Sequence, residues 1–474
     1  MAIMNKTPLI VIGAGPAGLG GAYRLARRGC FDVTAIEREA FVGGNAASFD
    51  VAGLRVDFGS HRLHPSCAPH IMADIQSMLG EGLLSRPRHG RIRIQGRWVH
   101  FPLKPLDLAT HLPLSFTGGV IGDALRKMSS RGNPAETFED VLERGLGRTI
   151  CRDFYFPYAR KIWGLAPKEL DVEQARRRVS AGSLGKMVGK VLNTLPGFKK
   201  PGAGRFYYPR NGFGAISDSY HAAALAAGAR IMLATQLTGI ELNGGGGVRL
   251  SVKHAGGEET LTARQALSTI PIPVLARLIR PAAPAAVMES AASLRFRSMI
   301  LIYMVLETEQ FTEFDAHYFP DAEIAITRLS EPKNYGLAEL PGRTVLCAEL
   351  PCSQSDAVWR SSDPELGALM MKALAASGIP VRAKVIEVSS RRLPQAYPLY
   401  TLGYREHFER IDQWLNGLDG ILTFGRQGLF AHDNTHHALA MAYAASDCMD
   451  DSGAVDVARW QEHRRAFQHH VVED

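Results

Sequence analysis

The sequence predicts an α/β protein in which a discontinuous Rossmann-type nucleotide-binding domain is joined to a substrate domain of antiparallel sheet plus a helical insertion. Three observations carry that reading. An apolar run, a glycine turn and a helical pattern open the chain over residues 9–28, and a second apolar run follows at 33–36. Two more short segments, at 267–271 and 421–424, read as strands returning to the same sheet from far along the chain. Between these pieces lie a stretch of interrupted helical periodicity and a stretch of strand-like segments.

At 474 residues the chain exceeds what one hydrophobic core usually supports, so two interwoven domains are expected. Residues 9–12 read as a buried strand, 17–28 as the helix after the glycine turn and 33–36 as the next strand. Helical patterns broken by Pro and Gly fill roughly 69–200. A helix at 215–227 and a strand at 229–235 follow, then a hairpin whose glycine tip at 243–247 supplies the positive φ values a tight turn needs. Strand-like runs at 298–306 and 344–350 predict a second sheet within 281–400, and a helix is expected over about 434–449. The chain divides into nucleotide-binding parts at 1–68, 206–280 and 401–474, a helical and substrate part at 69–205 and a substrate sheet at 281–400.

With 46% hydrophobic and 21% charged residues the composition is that of an ordinary soluble globular protein, not of a disordered or fibrous one. Six cysteines are scattered without a C-x-x-C pair, which disfavours a zinc site or a disulfide framework and fits a reduced, cytoplasmic setting. The opening residues run straight into a short apolar strand, too short and wrongly flanked for a signal peptide. The charge-free stretch 108–122 contains Pro113 and Gly118-Gly119 and cannot span a membrane, but 112–121 is a candidate for peripheral membrane contact. Two runs hold basic residues and no acid, 83–106 with Arg86, Arg91 and Lys104 and 174–217 with Arg176, Lys186, Lys190, Lys199, Lys200 and Arg210. Such runs attract anions or form a solvated face. No nucleic-acid motif accompanies them, so nucleic acid is not an expected partner.

Gly13-Ala-Gly15-Pro-Ala17-Gly18 lies between a strand and a helix, the context a dinucleotide site requires. Gly13 permits the turn, Gly15 lets backbone approach a pyrophosphate, and Gly18 lets helix and strand pack closely; the helix N-terminus supplies oriented N–H groups. Glu37 ends the second strand, 24 positions beyond Gly13, where it can accept hydrogen bonds from ribose hydroxyls and repels a 2'-phosphate. After Glu37-Arg38, the pair Gly43-Gly44, followed by Asn45, brings the chain close to the pyrophosphate, an arrangement that favours FAD over NAD.

These motifs resemble the large family of two-domain flavoproteins that includes amine oxidases, protoporphyrinogen oxidase, phytoene desaturases and UDP-galactopyranose mutase. Asp57-Phe-Gly-Ser-His61-Arg-Leu-His64 resembles the mutase segment in which glycine and histidine lie beside the flavin ring. The block from Phe154 through Lys161-Ile-Trp163-Gly164 to Arg176-Arg177-Arg178 is similar to the mutase helical domain around its K-x-W-G. Phe424-Gly425-Arg426 and Asn434 stand where the family closes its FAD site with a G-R turn and a helix N-terminus under the flavin. The resemblance implies FAD as cofactor, with Leu237 completing the candidate cofactor-binding set. It also has departures: many members carry Arg where Asn45 stands, and the mutase tyrosines that bind a substrate diphosphate are replaced here by Gly428-Leu-Phe430-Ala-His432-Asp433-Asn434.

His61 and His64 flank an apolar position and can face one side, either at the flavin or as imidazoles at a capped strand end. Arg328 is a further catalytic candidate, with Trp163, Arg210, Tyr335 and Tyr404 as substrate-binding candidates; each can equally serve packing or a structural ion pair. His432, His436 and His437 have no nearby carboxylate beyond Asp433 and are read without a metal. The expected function is that of an FAD-dependent oxidoreductase taking a hydride from a C–N or C–C bond of a small or lipophilic, anionic substrate onto flavin N5. The alternative is a mutase-like, non-redox flavoenzyme isomerising a nucleotide sugar. A flavin-stabilised scaffold without turnover is a third reading, and the sequence leaves the oligomeric state open.

Overall fold

Side chains alternate across a strand, so a strand buried on both faces must be apolar at every position. Leu9–Ile12, within strand Thr7–Ile12, meets that condition in the computed structural model, which describes residues 6–101, 111–127, 137–178, 204–243, 246–336 and 339–472. Leu9 and Val11 enter one hydrophobic core while Ile10 and Ile12 enter another on the opposite face. Each such fully buried aliphatic side chain stabilises the fold by about 1.5–3 kcal/mol.

Thr7–Ile12 is the middle of a five-stranded sheet in the order Ile421–Thr423, Gln265–Ser268, Thr7–Ile12, Phe31–Ile36, Arg230–Met232. All four pairings are parallel. The strands come from separated stretches of sequence, as the discontinuous reading expects. Helix Pro16–Arg27 packs against helices Ala215–Ala226 and Thr435–Asp447 in the first core. The second core carries a four-stranded sheet that includes the expected hairpin, Gln236–Leu242 and Val248–His254, together with helices Ile272–Leu278 and Tyr404–Asn416.

A seven-stranded sheet, in the order Val385–Pro398, Phe296–Leu306, Thr344–Cys352, Arg328–Ser330, Ala316–Tyr318, Gly90–Ile94, Arg97–Phe101, forms the second layer system. Its central strands Phe296–Leu306 and Thr344–Cys352 are antiparallel and almost wholly buried. The edge hairpin corrects the helical reading of residues 69–200. Arg91-Ile92-Arg93-Ile94 alternates with period two, Gln95 and Gly96 take φ values of 49° and 76° at the turn, and Ile92, Ile94 and Val99 all point into one apolar cluster. Leu83–Pro87 likewise pairs with Arg205–Pro209. The helical character resumes beyond: Phe138–Leu146, Phe156–Trp163 and Val172–Arg178 bury Leu142, Trp163 and Ala175 together.

Among the described residues no helix is long and apolar enough to cross a membrane. The apolar segment flagged for membrane contact overlaps helix Leu114–Lys127. Lys104, Lys186, Lys190, Lys199 and Lys200 of the two basic runs, and Gly244 and Gly245 of the hairpin tip, lie outside the described residues.

Candidate active site

The C-terminal ends of the parallel strands open into a cleft of about 900 Å³, within the size range of cofactor sites. Gly13 leaves the first strand at φ +100°, a conformation L side chains rarely adopt, and a Cβ there would sit 2.5 Å from Thr269 Oγ1. At Gly18 an added Cβ would fall 1.8 Å from the Gly13 carbonyl oxygen, so only glycine lets the helix close on the turn. Around Gly15 the reverse holds: no protein atom lies within 4 Å of where its Cβ would be. The space beside Gly15 is thus left open by a turn that is otherwise tightly packed.

Glu37 organises this turn. Its Oε2 accepts a hydrogen bond from Ala14 N (2.8 Å) and its Oε1 one from Glu39 N (3.0 Å). Gly43 N donates to Ala14 O at 2.8 Å, which lays the second glycine pair on the first turn, with Gly44 beside Gly15. Arg38 stands exposed at the rim, paired with Glu39, and Leu237 lines the same end. Ala17 is met by Gly425, whose Cβ would lie 2.8 Å from that of Ala17. Arg426 is half-buried and donates to Asp433 O (3.0 Å) and Ala396 O (2.8 Å), yet its buried Nε has no acceptor among the described residues. Gln427 Oε1 is likewise buried without a donor, and Asn434 caps helix Thr435–Asp447 with its N-terminus at the cleft. Asn45 donates a long 3.4 Å bond to Gln395 O.

The other end of the cleft is held by two buried carboxylates. Asp57 accepts from Ser48 Oγ (2.6 Å), Phe213 N (2.8 Å) and Tyr208 Oη (2.7 Å); burial pushes its pKa up, against those bonds. This ties the segment before His61 to the loop carrying Phe213, on which the His61 ring stacks at 5.3 Å. Glu349 Oε1 accepts from Ser60 N (3.0 Å) and from Arg328 Nε (2.9 Å) and Nη2, so Ser60 and Arg328 share one anchor next to His61. Burial holds the His61 imidazole below its ordinary pKa, partly opposed by Asp57. Its Nε2 lies 2.9 Å from Phe58 O, and since a carbonyl only accepts, Nε2 carries the proton and Nδ1 is an acceptor. Arg62 also lines this end; it faces Asp315 at 3.2 Å, and its buried Nε and Nη2 have no hydrogen-bond acceptor among the described residues.

Of the residues singled out in the sequence, Gly13, Gly15, Ala17, Glu37, Arg38, Gly44, Asn45, His61, Leu237, Arg328, Arg426 and Asn434 line the cleft, with Gly18, Gly43 and Gly425 packed just behind it. The structure does not bring His64, Trp163, Arg210, Tyr335 or Tyr404 there. His64 turns its Nδ1 to Ser66 (2.8 Å to Oγ). Trp163 is core, edge-on to His432 at 5.2 Å. Tyr335 packs against Tyr208, and Tyr404 stacks on Tyr400 at 4.2 Å, both inside apolar clusters. Arg210 is exposed and does not line the cleft. Sequence reasoning missed Thr269, Tyr318, Gln395 and Gln427 on the wall of the cleft and did not single out Arg62. Arg62 was legible only as the neighbour of His61, because its burial depends on Asp315 and Phe206 from other segments.

Fold and site together define a two-domain flavoprotein: a glycine turn bound by the Glu37 carboxylate, closed by a G-R turn and a helix N-terminus brought back from the end of the chain. The model of the flavin-containing amine oxidoreductase family matches residues 16–430, and the chain belongs to that family. It is an FAD-binding flavoprotein by class. The open space at Gly15 and the buried, unpaired Arg426 Nε and Gln427 Oε1 fit FAD, for which those residues and Glu37 would form the holding set. Among curated relatives, a "Probable UDP-galactopyranose mutase" of Klebsiella pneumoniae is 26% identical over 179 residues, 37% of this chain and 45% of that protein. The dTDP-fucopyranose mutase of Escherichia coli is 24% identical over 37% of this chain and 46% of its own length. The chain thus matches about half the length of these relatives. Among solved structures, a reduced UDP-galactopyranose mutase superposes with a TM-score of 0.77 at 20% identity, covering 94% of this chain and 93% of its own. Wild-type putrescine oxidase bound to putrescine gives a TM-score of 0.66 at 16% identity over 94% and 98%. At such identities these likenesses speak for the fold alone.

Proposed function

We propose that the protein oxidises a C–N or C–C bond of a small or lipophilic substrate carrying an anionic group, and that the substrate lies at the end of the cleft formed by His61, Arg62, Tyr318 and Arg328. FAD, when bound, supplies the acceptor for the hydride at N5. The observation that carries this reading is the pairing, in one cleft, of a dinucleotide turn with a wall of neutral imidazole and buried guanidinium.

His61, neutral and protonated on Nε2, positions a substrate N–H or O–H through Nδ1, which suits it as an acceptor. Arg62 offers buried N–H groups to a carboxylate or phosphate, and Arg328, already neutralised in part by Glu349, sets the polarity of the wall. The sequence match to two sugar mutases favours the second reading, a nucleotide sugar isomerised without net oxidation. Anaerobic mixing of the yellow protein with acidic amines, polyprenyl compounds and nucleotide sugars separates the two. Bleaching of the flavin band by an amine or polyprenyl compound is expected. Tight binding of UDP to the dithionite-reduced protein, with no bleaching by the other classes, would replace the first reading by the second.

A further inference from the structure

A second cluster of chemistry-bearing side chains sits where the C-terminal segment folds back onto the start of helix Thr435–Asp447. Asp433, just before that helix, has a side chain with no exposed surface, and neither carboxylate oxygen has a hydrogen-bond donor among the described residues. Leaving an ionised carboxylate buried in that state costs several kcal/mol unless a cation compensates. Two imidazoles face its Oδ1: His437, one helical turn on, with Nδ1 at 3.5 Å, and His470 from the C-terminal segment, with Nδ1 at 3.3 Å. Both present Nδ1 to the same oxygen. Their rings are stacked, 12° apart in plane with centroids 4.2 Å apart, so one ring must turn about its χ2 for both in-plane lone pairs to meet a single ion.

These distances are too long for good charge-assisted hydrogen bonds, which run about 2.7–2.9 Å. They match another arrangement. A tetrahedral ion about 2.1 Å from each of its nitrogen and oxygen ligands holds those atoms about 3.4 Å apart. One oxygen from Asp433 and one nitrogen from each histidine all lie within 4.8 Å of one another. The cluster is tied down from both sides: Val472 N donates to Arg177 O (2.9 Å), and the His470 ring rests on Phe467 at 5.4 Å. His437 Nδ1 also accepts a long 3.3 Å bond from Asn434 N, which a metal would displace.

We propose that Asp433, His437 and His470 form a site for a divalent cation of the zinc type, with a fourth position left for water or the second Asp433 oxygen, and that the ion staples the C-terminal segment to the helix N-terminus at the cleft. Three protein ligands and an open position are within the repertoire of this metal. The sequence conceals the site because His470 lies far from the pair at 433 and 437.

The test uses the full-length, FAD-loaded protein, freed of metal with a chelator and titrated with Zn²⁺ by calorimetry and with Co²⁺ by absorption beyond the flavin band. One Zn²⁺ per chain and the ligand-field bands of tetrahedral Co²⁺ are expected, with Tm rising on Zn²⁺ addition. His470→Ala and His437→Ala should each weaken Zn²⁺ binding by about tenfold or more, while His469→Ala, an exposed neighbour, leaves it unchanged. Should His437→Ala fail to fold, His470→Ala decides. Stoichiometry well below one, or Zn²⁺ affinity unaltered in His470→Ala, overturns the assignment.

Discussion

Gly15→Ala separates the glycines that the fold needs from the one that the cofactor needs. Gly15 has φ −75° and ψ 179°, values alanine adopts without strain, and its added Cβ meets no protein atom within 4 Å. The apoprotein should therefore be unchanged or more stable by about 0.4–1 kcal/mol, since alanine narrows the unfolded ensemble. The same methyl intrudes on the space where the pyrophosphate would meet backbone. Loss of one charge-assisted hydrogen bond there costs about 1.5–3 kcal/mol, roughly a 10- to 150-fold weakening of FAD binding. Gly18→Ala is the counterpart: a Cβ 1.8 Å from the Gly13 oxygen forces the helix off the strand and should cost about 1–3 kcal/mol or more in the apoprotein itself. The assay is urea unfolding of both apoproteins beside FAD titration followed by quenching of flavin fluorescence. If Gly15→Ala binds FAD like the wild type, or unfolds as early as Gly18→Ala, the open space at this turn is not where the pyrophosphate goes.

Glu37→Ala removes the acceptor of both Ala14 N and Glu39 N and should weaken FAD binding by about 1.5–3 kcal/mol; an unchanged dissociation constant in the same titration refutes it. Glu349→Gln leaves the Arg328 guanidinium poorly compensated in a buried setting and should lower stability by about 3 kcal/mol or more in urea unfolding, with no loss expected if the pair is dispensable. Buried among Trp98, Phe314 and Phe319, His317 has its pKa pulled down to about 3 by burial and then by Arg91. The unfolded chain binds a proton there below about pH 6.5 and the folded chain does not, so stability is full above that pH and falls toward pH 3, by about 2 kcal/mol between pH 6.5 and 5. His317→Leu should flatten that part of the stability profile, and an identical slope in both proteins would exclude His317 as its source.

What the sequence determined by itself is what local chemistry encodes. The run Leu9 to Ile12, the glycines at 13, 15 and 18 and the acid at 37 are read by periodicity, backbone freedom and spacing; Ile12, Gly13, Gly15 and Glu37 line the cleft, and the others pack behind it. The same local signals identified the later strands near 267 and 421, the first of them two residues upstream of the expected start, at Gln265–Ser268. They failed at residues 83–101, where a period of two between arginines and isoleucines was taken for part of a helical stretch. Only the tertiary structure decided which polar residues share the cleft. Trp163, Tyr335 and Tyr404 have side chains suited to a ligand and are spent on packing, whereas Arg62, Gln395 and Gln427 are ordinary in sequence and reach the cavity because segments hundreds of residues apart converge on it. Burial and contact between distant segments are properties of the assembled chain, and the Asp57 and Glu349 anchors that aim His61 and Arg328 acquire their roles only when those segments meet.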